Sequence, residues 1–230
     1  MRPALLAVLL AIPGAAHAQP APRPVVVELF TSQGCSSCPP ADRLLTDLAR
    51  DRPDVLPLAF HVTYWNRLGW TDPYSLDAAT ARQESYAGLS GIGGVYTPQA
   101  VVDGHTDVVG SDAAGLRRAI AAAAAHATAV PLLARLADGM VSLSLGAAPG
   151  RGRVLLVGFD PSHVTQVGRG ENQGATLRES NIVRGLVIAG DWQGQALSLR
   201  LAPPPGERLA VLIQAPDGAI LGAALVPPSG

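Results

Sequence analysis

Lysine is absent from this chain of 230 residues, and all 17 of its basic residues are arginine. Its absence excludes reactions that need a Schiff-base lysine and nucleotide sites that need the lysine of a P-loop. Cysteine is almost as scarce, with two residues, and the formal net charge at pH 7 is only −1. That near-neutral charge predicts neither a nucleic acid nor an anionic membrane as a partner.

The one long apolar run of the chain lies at its amino terminus. Arg2 precedes an apolar stretch over residues 4–12, and Ala16, His17 and Ala18 form an A-x-A cleavage signal. The stretch is shorter than the roughly 20 residues that span a bilayer, so it predicts a signal peptide over residues 1–18. We therefore expect an exported protein, periplasmic or extracellular, with no membrane span after cleavage. Residues 19–24 form a Pro-rich leader.

Residues 25–129 alternate between apolar runs and helical segments. The predicted elements are a strand from Val25 to Thr31, a helix from Ser36 or Ser37 to about Arg50, a strand from Val55 to Thr63, a helix from about Leu76 to Leu89, two strands around the Asp103-Gly104 turn, and a helix capped by Ser111. This order is β-α-β-α-β-β-α. It predicts an α/β domain whose first two strands are parallel.

From residue 130 onwards, short segments of alternating polarity are separated by Gly and Pro turns. The predicted strands cover residues 141–145, 154–159, 176–187, 196–201, 209–214 and 219–226. We expect residues 130–230 to form an all-β, sandwich-like domain. Residues 169–174 are unusually polar. We interpret them as a solvated hairpin turn, with a binding loop or a contact with the first domain as the alternative.

Cys35 and Cys38 stand between the first strand and the first helix. Export implies an oxidising compartment, and a bridge between residues this close closes a very small loop and stabilises the fold weakly. The spacing therefore favours a redox centre or a pair of metal ligands over a structural staple. A helix N-terminus favours the thiolate of Cys35, the form that attacks a disulfide, and Cys38 would then resolve the intermediate.

Two separate motifs resemble the thioredoxin superfamily. Phe30-Thr31, followed by Gly34-Cys35 and Cys38-Pro39, looks like the start of a glutaredoxin. Gly94 to Pro98, followed by a strand and Asp103-Gly104, looks like the cis-proline loop and hairpin of the superfamily. The resemblance implies a thioredoxin-like fold for residues 25–129 and a cis bond between Thr97 and Pro98. It also implies that these two residues position the substrate beside the cysteines.

The whole chain is similar to a family of secreted bacterial proteins of unknown function that carry a thioredoxin-like domain. The signal peptide, the start around Cys35, the aromatic stretch 64–74 and the β-rich tail carry this resemblance. One departure is that Gln33-Gly34 replace the Trp that thioredoxins carry before the first Cys. We therefore expect a different partner from that of thioredoxin.

Several other side chains are candidates for roles at the site. Glu28 lies within an apolar strand, where it would relay protons to Cys38, or would be edge-exposed or paired with an arginine. The aromatic residues of stretch 64–74 would either wall a substrate groove or pack the inserted segment. His61 and His105 would complete a copper or zinc site with the cysteines, or would be hydrogen-bonded structural residues.

The function that we expect is that of an exported thiol–disulfide oxidoreductase. Its substrate is a protein or a small thiol or disulfide, and a second redox partner is implied. It needs no cofactor because the disulfide itself carries the electrons. Two alternatives stay open. One is a Cu- or Zn-binding or metallochaperone module that uses the same cysteines, and the other is a non-catalytic binding protein on a thioredoxin scaffold.

Overall fold

Eleven strands and three α-helices are seen in a computed structural model that describes residues 23–91, 93–126 and 130–227. The predicted signal peptide and most of the leader lie outside the described residues. The elements are β1 (Val25–Thr31), α1 (Pro39–Asp51), β2 (Val55–His61), α2 (Asp77–Ser90), β3 (Gln99–Val102), β4 (Thr106–Val109), α3 (Ala113–Ala125), β5 (Leu132–Ala137), β6 (Met140–Leu145), β7 (Gly152–Gln166), β8 (Thr176–Trp192), β9 (Leu197–Leu201), β10 (Arg208–Gln214) and β11 (Ile220–Val226).

The predicted β-α-β-α-β-β-α order is confirmed for the first half of the chain. β1 and β2 are parallel, with Thr31 opposite His61, and β3 runs antiparallel to β1 with Gln99 opposite Phe30. The ends of β1 and β2 and the start of β3 therefore meet at one border of the sheet. We call this border the carboxyl edge, and the loops that leave it are placed close together.

The side chains of β1 alternate between the two faces of the sheet, as the two-residue period of a strand requires. Val27 and Leu29 pack with α1 and α3 on one face, while Val26 and Phe30 pack with α2 on the other. Glu28 shares the face of Val26 and Phe30. This alternation decides which helix each polar side chain of β1 meets.

The second half of the chain does not form a sheet system of its own, as the sandwich-like domain over residues 130–230 would require. Four of its strands continue the large sheet, whose order is β11-β10-β7-β8-β2-β1-β3-β4. The remaining strands form a second sheet in the order β5-β6-β9. Alternating polarity identifies these strands, but it carries no information about which partner each strand pairs with.

The two halves meet where β8 lies parallel to β2. Their ladder consists of a single pair, Ala59 and Ile182. Pro57 has no N–H to donate in this central strand, and its carbonyl accepts a 2.8 Å hydrogen bond from the Asn181 side chain. Asn181 has a φ of 51°, a left-handed conformation that Asn tolerates better than most residues. A side chain thus replaces part of the backbone ladder at this junction.

Sandwich packing is nevertheless present between the second sheet and part of the large one. Apolar side chains of β6 face those of β7 and β10, and the fully buried Trp192 lies among them. β5, which the sequence did not predict, alternates between half-buried and exposed residues at the edge of this sheet. Its exposed Leu133 obscures the two-residue period.

The helices begin slightly later than predicted. α1 starts at Pro39 with Cys38 as its N-cap, instead of at Ser36 or Ser37. α3 is capped by Asp112, whose carboxylate accepts hydrogen bonds from the N–H groups of Ala114 and Gly115, instead of by Ser111. Within the described residues, no helix is long and apolar enough to cross a membrane.

The turn between β3 and β4 contacts the turn between β10 and β11. Asp103 binds Arg23 at 2.8 Å, and its carbonyl accepts from the N–H of Ile220 at 3.1 Å. Gly104 has a φ of 75°, and a Cβ atom there would lie 1.9 Å from the Gly218 carbonyl oxygen. The two turns thus meet in close backbone contact, and the Arg23 guanidinium also bridges them by donating to the Ile220 carbonyl at 2.8 Å.

We expect Gly104→Ala to lower the free energy of unfolding by about 3 kcal/mol, because it combines left-handed backbone strain with a clash. Gly139→Ala is the matched control, since Gly139 has a φ of 70° and no described residue places an atom within 4 Å of its Cβ position. The control should lose about 1 kcal/mol. Urea denaturation of both variants checks this, and equal losses would contradict the turn-to-turn contact.

Candidate functional site

Cys35 and Cys38 form a disulfide at the carboxyl edge, within the turn between β1 and α1. Their Sγ atoms are 2.15 Å apart and their Cα atoms 5.4 Å apart. Both residues are 0% exposed, whereas Ser36 and Ser37 between them are exposed. The Ser37 hydroxyl lies 3.3 Å from the Cys35 sulfur. The turn therefore presents its serines to solvent while both cysteines are buried.

The start of α1 offers the cysteines fewer backbone donors than the sequence led us to expect. Cys35 lies three residues before the N-cap, and its carbonyl accepts a 3.2 Å hydrogen bond from the N–H of Cys38. The first two helical residues, Pro39 and Pro40, have no N–H. The helix dipole still acts on the pair, but two of the donors that would stabilise a thiolate are missing.

Thr97 and Pro98 directly precede β3 and so lie at the same carboxyl edge as the disulfide turn. The bond between them is cis, as the resemblance implies, and Pro98 is buried. The Thr97 hydroxyl accepts a 2.8 Å hydrogen bond from the indole N–H of Trp65. The structure therefore brings four of the predicted site residues to one edge of the sheet.

The aromatic residues of stretch 64–74 are packed and hydrogen-bonded. The indole of Trp70 donates to the Gln33 side chain at 3.1 Å, and the Tyr64 hydroxyl donates to Gln83 at the same distance. Tyr74 stacks on His163 with ring centroids 4.7 Å apart and contacts the Arg184 guanidinium. These contacts favour the packing interpretation over a groove.

A cluster of polar side chains fills the space behind the disulfide. It consists of Thr31, Gln33, Asp42, His61, Asp72 and Glu179, all of them buried, and we call it the buried polar cluster. They come from β1, the turn after it, α1, β2, the loop after β2 and β8. Polar groups at such depth need partners, because burying a polar group without a hydrogen bond is unfavourable.

Gln33 and His61 connect most of this cluster. The Gln33 backbone N–H donates to Asp72 at 2.8 Å, and its side-chain amide donates to Glu179 at 2.6 Å. His61 Nδ1 lies 2.7 Å from Asp72, whereas its Nε2 lies 3.9 Å from Glu179. Among the described residues, the His61 Nε2 and Glu179 Oε1 atoms find no hydrogen-bond partner. They face each other across a gap slightly too long for a hydrogen bond.

The charges of the cluster hold His61 in its protonated form. Burial lowers the pKa of His61, but the carboxylates of Asp72, Glu179 and Asp42 outweigh burial and raise the pKa from 6.5 to about 9. The interaction between His61 and Asp72 also shifts the pKa of Asp72. Burial raises its pKa, while the charge and hydrogen bond of His61 bring the net value below the ordinary one.

Asp42 lies one helical turn after Cys38, and its carboxyl group accepts a 2.8 Å hydrogen bond from the Thr31 hydroxyl. Burial and the nearby Glu179 raise the pKa of Asp42 to about 7. Burial also raises the pKa of Glu179, although His61 opposes the rise. A buried acid that exchanges its proton near neutral pH thus lies on the helix that carries Cys38.

Glu28, the candidate proton relay of the sequence analysis, is not brought to the cysteines. Its carboxylate forms an ion pair with Arg82 and accepts a 2.7 Å hydrogen bond from Tyr86, both on α2. α1 and Cys38 lie on the opposite face of the sheet. The structure therefore favours the arginine-paired alternative for Glu28, and Asp42 is the acid on the side of the cysteines.

The two histidines of the metal hypothesis are far from a common site. His61 is engaged by Asp72, and His105 is exposed at the turn between β3 and β4, at the opposite end of β3 from Pro98. Among the described residues, no group of three or more His, Cys, Asp or Glu side chains could hold a metal ion.

The loop between β7 and β8 lies against the disulfide turn. The Asn172 side chain donates to the carbonyls of Gln33 and Cys35, each at 2.9 Å, and Glu171 accepts from the Ser36 N–H at 3.0 Å. Arg169, Glu171, Gln173 and Gly174 are exposed, as expected of a solvated turn, and the contact of Glu171 and Asn172 with the disulfide turn agrees in addition with its alternative. The Ser36 hydrogen bonds hold the pKa of Glu171 below its usual value.

Sequence reasoning missed Gln33, Asp42, Asp72 and Glu179 as parts of the site. Asp42 carried a usable signal, because its position four residues after Cys38 places it on the same side of a helix. Glu179 and Asp72 carried none, since their approach depends on how β8 and the loop after β2 dock at the carboxyl edge.

We expect the stability of the oxidised protein to fall as the pH rises from 6.5 to 9, because the folded state holds the His61 proton more tightly than the unfolded state. The pKa of His61 is raised, so its contribution is complete below pH 6.5 and is lost as the pH passes through about 9. The loss should be on the order of 3 kcal/mol. Guanidinium denaturation at several pH values measures it.

His61→Asn should be less stable and should lose this slope, while the exposed His105→Asn should keep it. Asp42 adds a decline in the same direction at lower pH, because its pKa is also raised, from 3.8 to about 7. A wild-type slope that persists in His61→Asn would contradict the assignment of the charge to His61.

The chain matches a protein family whose function is described as unknown. Residues 26–214 match the family described as "Protein of unknown function (DUF1223)". A crystal structure of a structural-genomics target from Agrobacterium tumefaciens is 34% identical, with a TM-score of 0.76, and the match covers 88% of this chain and 93% of that one.

HBP35 of Porphyromonas gingivalis is 13% identical, with a TM-score of 0.66, over 91% of this chain and 78% of that one. At this identity the likeness shows the fold alone. No curated protein matches the sequence. The family match and the 34% identical structure establish that this chain belongs to the DUF1223 family.

Proposed function

We propose that this protein is an exported thiol–disulfide oxidoreductase with a thioredoxin-like redox half. The observation that carries the proposal is the Cys35–Cys38 disulfide, which lies at the start of α1 with a buried acid of pKa about 7, Asp42, one turn behind it. A structural disulfide that is never reduced does not need such an acid, whereas a redox-active pair needs a proton each time a thiolate leaves.

The thioredoxin-like fold is supported by the β-α-β-α-β-β-α order and by the approach of Thr97 and Pro98 to the disulfide turn. Export is supported by the charged start, apolar stretch and A-x-A signal of residues 1–18. The substrate is a protein or a small thiol or disulfide, and a second redox partner restores the pair after each turnover.

The exchange begins when a substrate thiolate attacks the Cys35 sulfur. A mixed disulfide forms, the Cys35–Cys38 bond breaks, and the Cys38 sulfur leaves as a thiolate that takes up a proton. A second substrate thiolate then attacks the substrate sulfur of the mixed disulfide and releases Cys35. Two substrate thiols have become one disulfide, and two electrons remain on the two cysteines. In the reverse sequence the Cys35 thiolate attacks a substrate disulfide and Cys38 resolves the mixed disulfide, so the substrate is reduced and the Cys35–Cys38 bond is restored.

Asp42 is the group best suited to supply the proton to Cys38. Its neutral form predominates below pH 7, and it follows Cys38 by one turn of the same helix. The Thr31 hydroxyl and the Asp42 backbone fix its position, since the Asp42 N–H itself donates to the Cys38 carbonyl at 3.1 Å.

The surroundings of Cys35 favour the oxidised state. Pro39 and Pro40 remove two donors from the helix start, and the negative Glu171 lies next to the Ser36 N–H. Both features make a Cys35 thiolate less stable than at an ordinary helix N-terminus. We therefore expect a reduction potential nearer to that of thioredoxin than to that of a strong oxidant.

Redox equilibration with glutathione should give a potential between about −200 and −270 mV. The protein should also catalyse the reduction of insulin by dithiothreitol, and the Cys35→Ser/Cys38→Ser double variant should not. A potential below about −300 mV, typical of structural disulfides, together with no turnover would overturn the proposed function.

Asp42→Asn should flatten the pH dependence of disulfide reduction around pH 7, because it removes the titrating acid. The rate of reduction by dithiothreitol, divided by the rate for oxidised glutathione under the same conditions, corrects for titration of the reductant. In the wild type this ratio should decline above pH 7 as Asp42 ionises.

Glu28→Gln is the matched control for Asp42→Asn, since both replace a buried carboxyl group with an amide. It should destabilise the protein, because Arg82 loses its ion-pair partner, but it should keep the pH profile. If the pH dependence of disulfide reduction changes in Glu28→Gln and persists in Asp42→Asn, then Glu28 and not Asp42 supplies the proton.

A further inference from the structure

The loop between β7 and β8 makes the same types of hydrogen bond with the disulfide turn that an extended polypeptide would make. Two N–H bonds of the Asn172 amide point at the carbonyls of Gln33 and Cys35, and a Glu171 oxygen accepts from the Ser36 N–H. A peptide backbone also offers N–H donors and carbonyl acceptors, and edge pairing of this kind is a common way to bind extended segments.

The contact coincides with complete burial of the reactive atoms. Cys35 is 0% exposed although the residues after it, Ser36 and Ser37, are exposed. The three hydrogen bonds tie the loop to the backbone on both sides of Cys35. A substrate that pairs with the backbone at Gln33, Cys35 and Ser36 must first displace this loop.

The loop also contacts the aromatic stretch 64–74, through Gly170 and Trp70. Gly170 has a φ of 78°, and a Cβ atom there would lie 3.2 Å from the Cβ of Trp70. Trp70 in turn donates a hydrogen bond to Gln33, the residue whose carbonyl Asn172 binds. The loop, the aromatic stretch and the disulfide turn thus form one continuous contact.

We propose that Asn172 and Glu171 form a latch that closes the disulfide to small thiols and yields to extended polypeptide. The inference rests on the proposed function, since it names the residues that determine which thiols reach Cys35. A polypeptide that carries a cysteine can replace all three hydrogen bonds of the latch as it enters. A small thiol such as glutathione must break them with less compensation.

The first test compares the rates at which glutathione reduces the oxidised protein. Because the chain has two cysteines, alkylation of acid-quenched samples counts the thiols that form. Asn172→Ala removes two hydrogen bonds and should accelerate reduction about tenfold, and Glu171→Gln should accelerate it about threefold. Gln173→Ala is the matched control on the same loop, because its side chain is exposed, and it should stay within twofold of the wild type.

The second test uses a linear peptide with a single cysteine, which has the same reactive group as glutathione. In the wild type the peptide should react faster than glutathione, and in Asn172→Ala this preference should shrink as the glutathione rate rises. An unchanged preference, or glutathione rates within twofold of the wild type in both latch variants, would overturn the latch.

Gly170→Ala opens the latch by a different route, by pushing the loop away from Trp70. It should accelerate the reduction of the protein by glutathione without removing any hydrogen-bonding group of the latch. A faster rate in both variants would therefore not be due to a folding defect confined to Asn172→Ala. Circular dichroism melting of each variant checks that the fold is intact. A rate within twofold of the wild type in a folded Gly170→Ala protein would contradict the latch.

The outcomes separate the latch from the proposed function. Faster reduction of Asn172→Ala, together with a potential typical of structural disulfides and no insulin turnover, would leave the latch in place and overturn the oxidoreductase. Wild-type turnover at a potential within the expected range, with unchanged rates in the variants, would overturn the latch alone.

Discussion

The carboxyl edge depends on the positive charge of His61, which has no exposure to solvent. Such a charge is stable only beside opposite charges, and here the loop after β2, helix α1 and strand β8 each contribute a carboxyl group. Removing one partner of a buried pair typically costs about 3–5 kcal/mol. The attraction between His61 and these carboxyl groups therefore holds three segments, which are distant along the chain, behind the disulfide.

These charges also determine the chemistry available to the cysteines. With Asp72 ionised beside His61, the remaining two acids, Asp42 and Glu179, are both buried, and burial together with nearby carboxylates raises the pKa of both. Like charges that cannot both ionise keep a proton near neutral pH. On the solvent side, Glu171 opposes negative charge at Cys35. The disulfide thus lies between a proton source and a fixed negative charge.

Local signals in the sequence were sufficient for the first half of the fold and for the members of the site that lie near motifs. The cysteine spacing, the strand before it and the Thr97-Pro98 pair could be recognised because each acts within a few residues. The continuation of the sheet could not, because it depends on β8 meeting β2 at Pro57 and Asn181, far apart along the chain. The sequence also does not show which side-chain partner Glu28 has. The alternation of β1 turns Glu28 towards Arg82, which lies far from it along the chain.

The position of Glu171, Asn172 and Glu179 has a consequence for the evolution of the family. All three belong to the hairpin of β7 and β8, outside the segment that carries the cysteines. Substitutions in this hairpin can change the access and the proton affinity of the disulfide while the C-x-x-C motif stays the same. Relatives that share the motif can therefore diverge in substrate and in redox behaviour, and the hairpin sequence is the better guide for dividing them into functional groups.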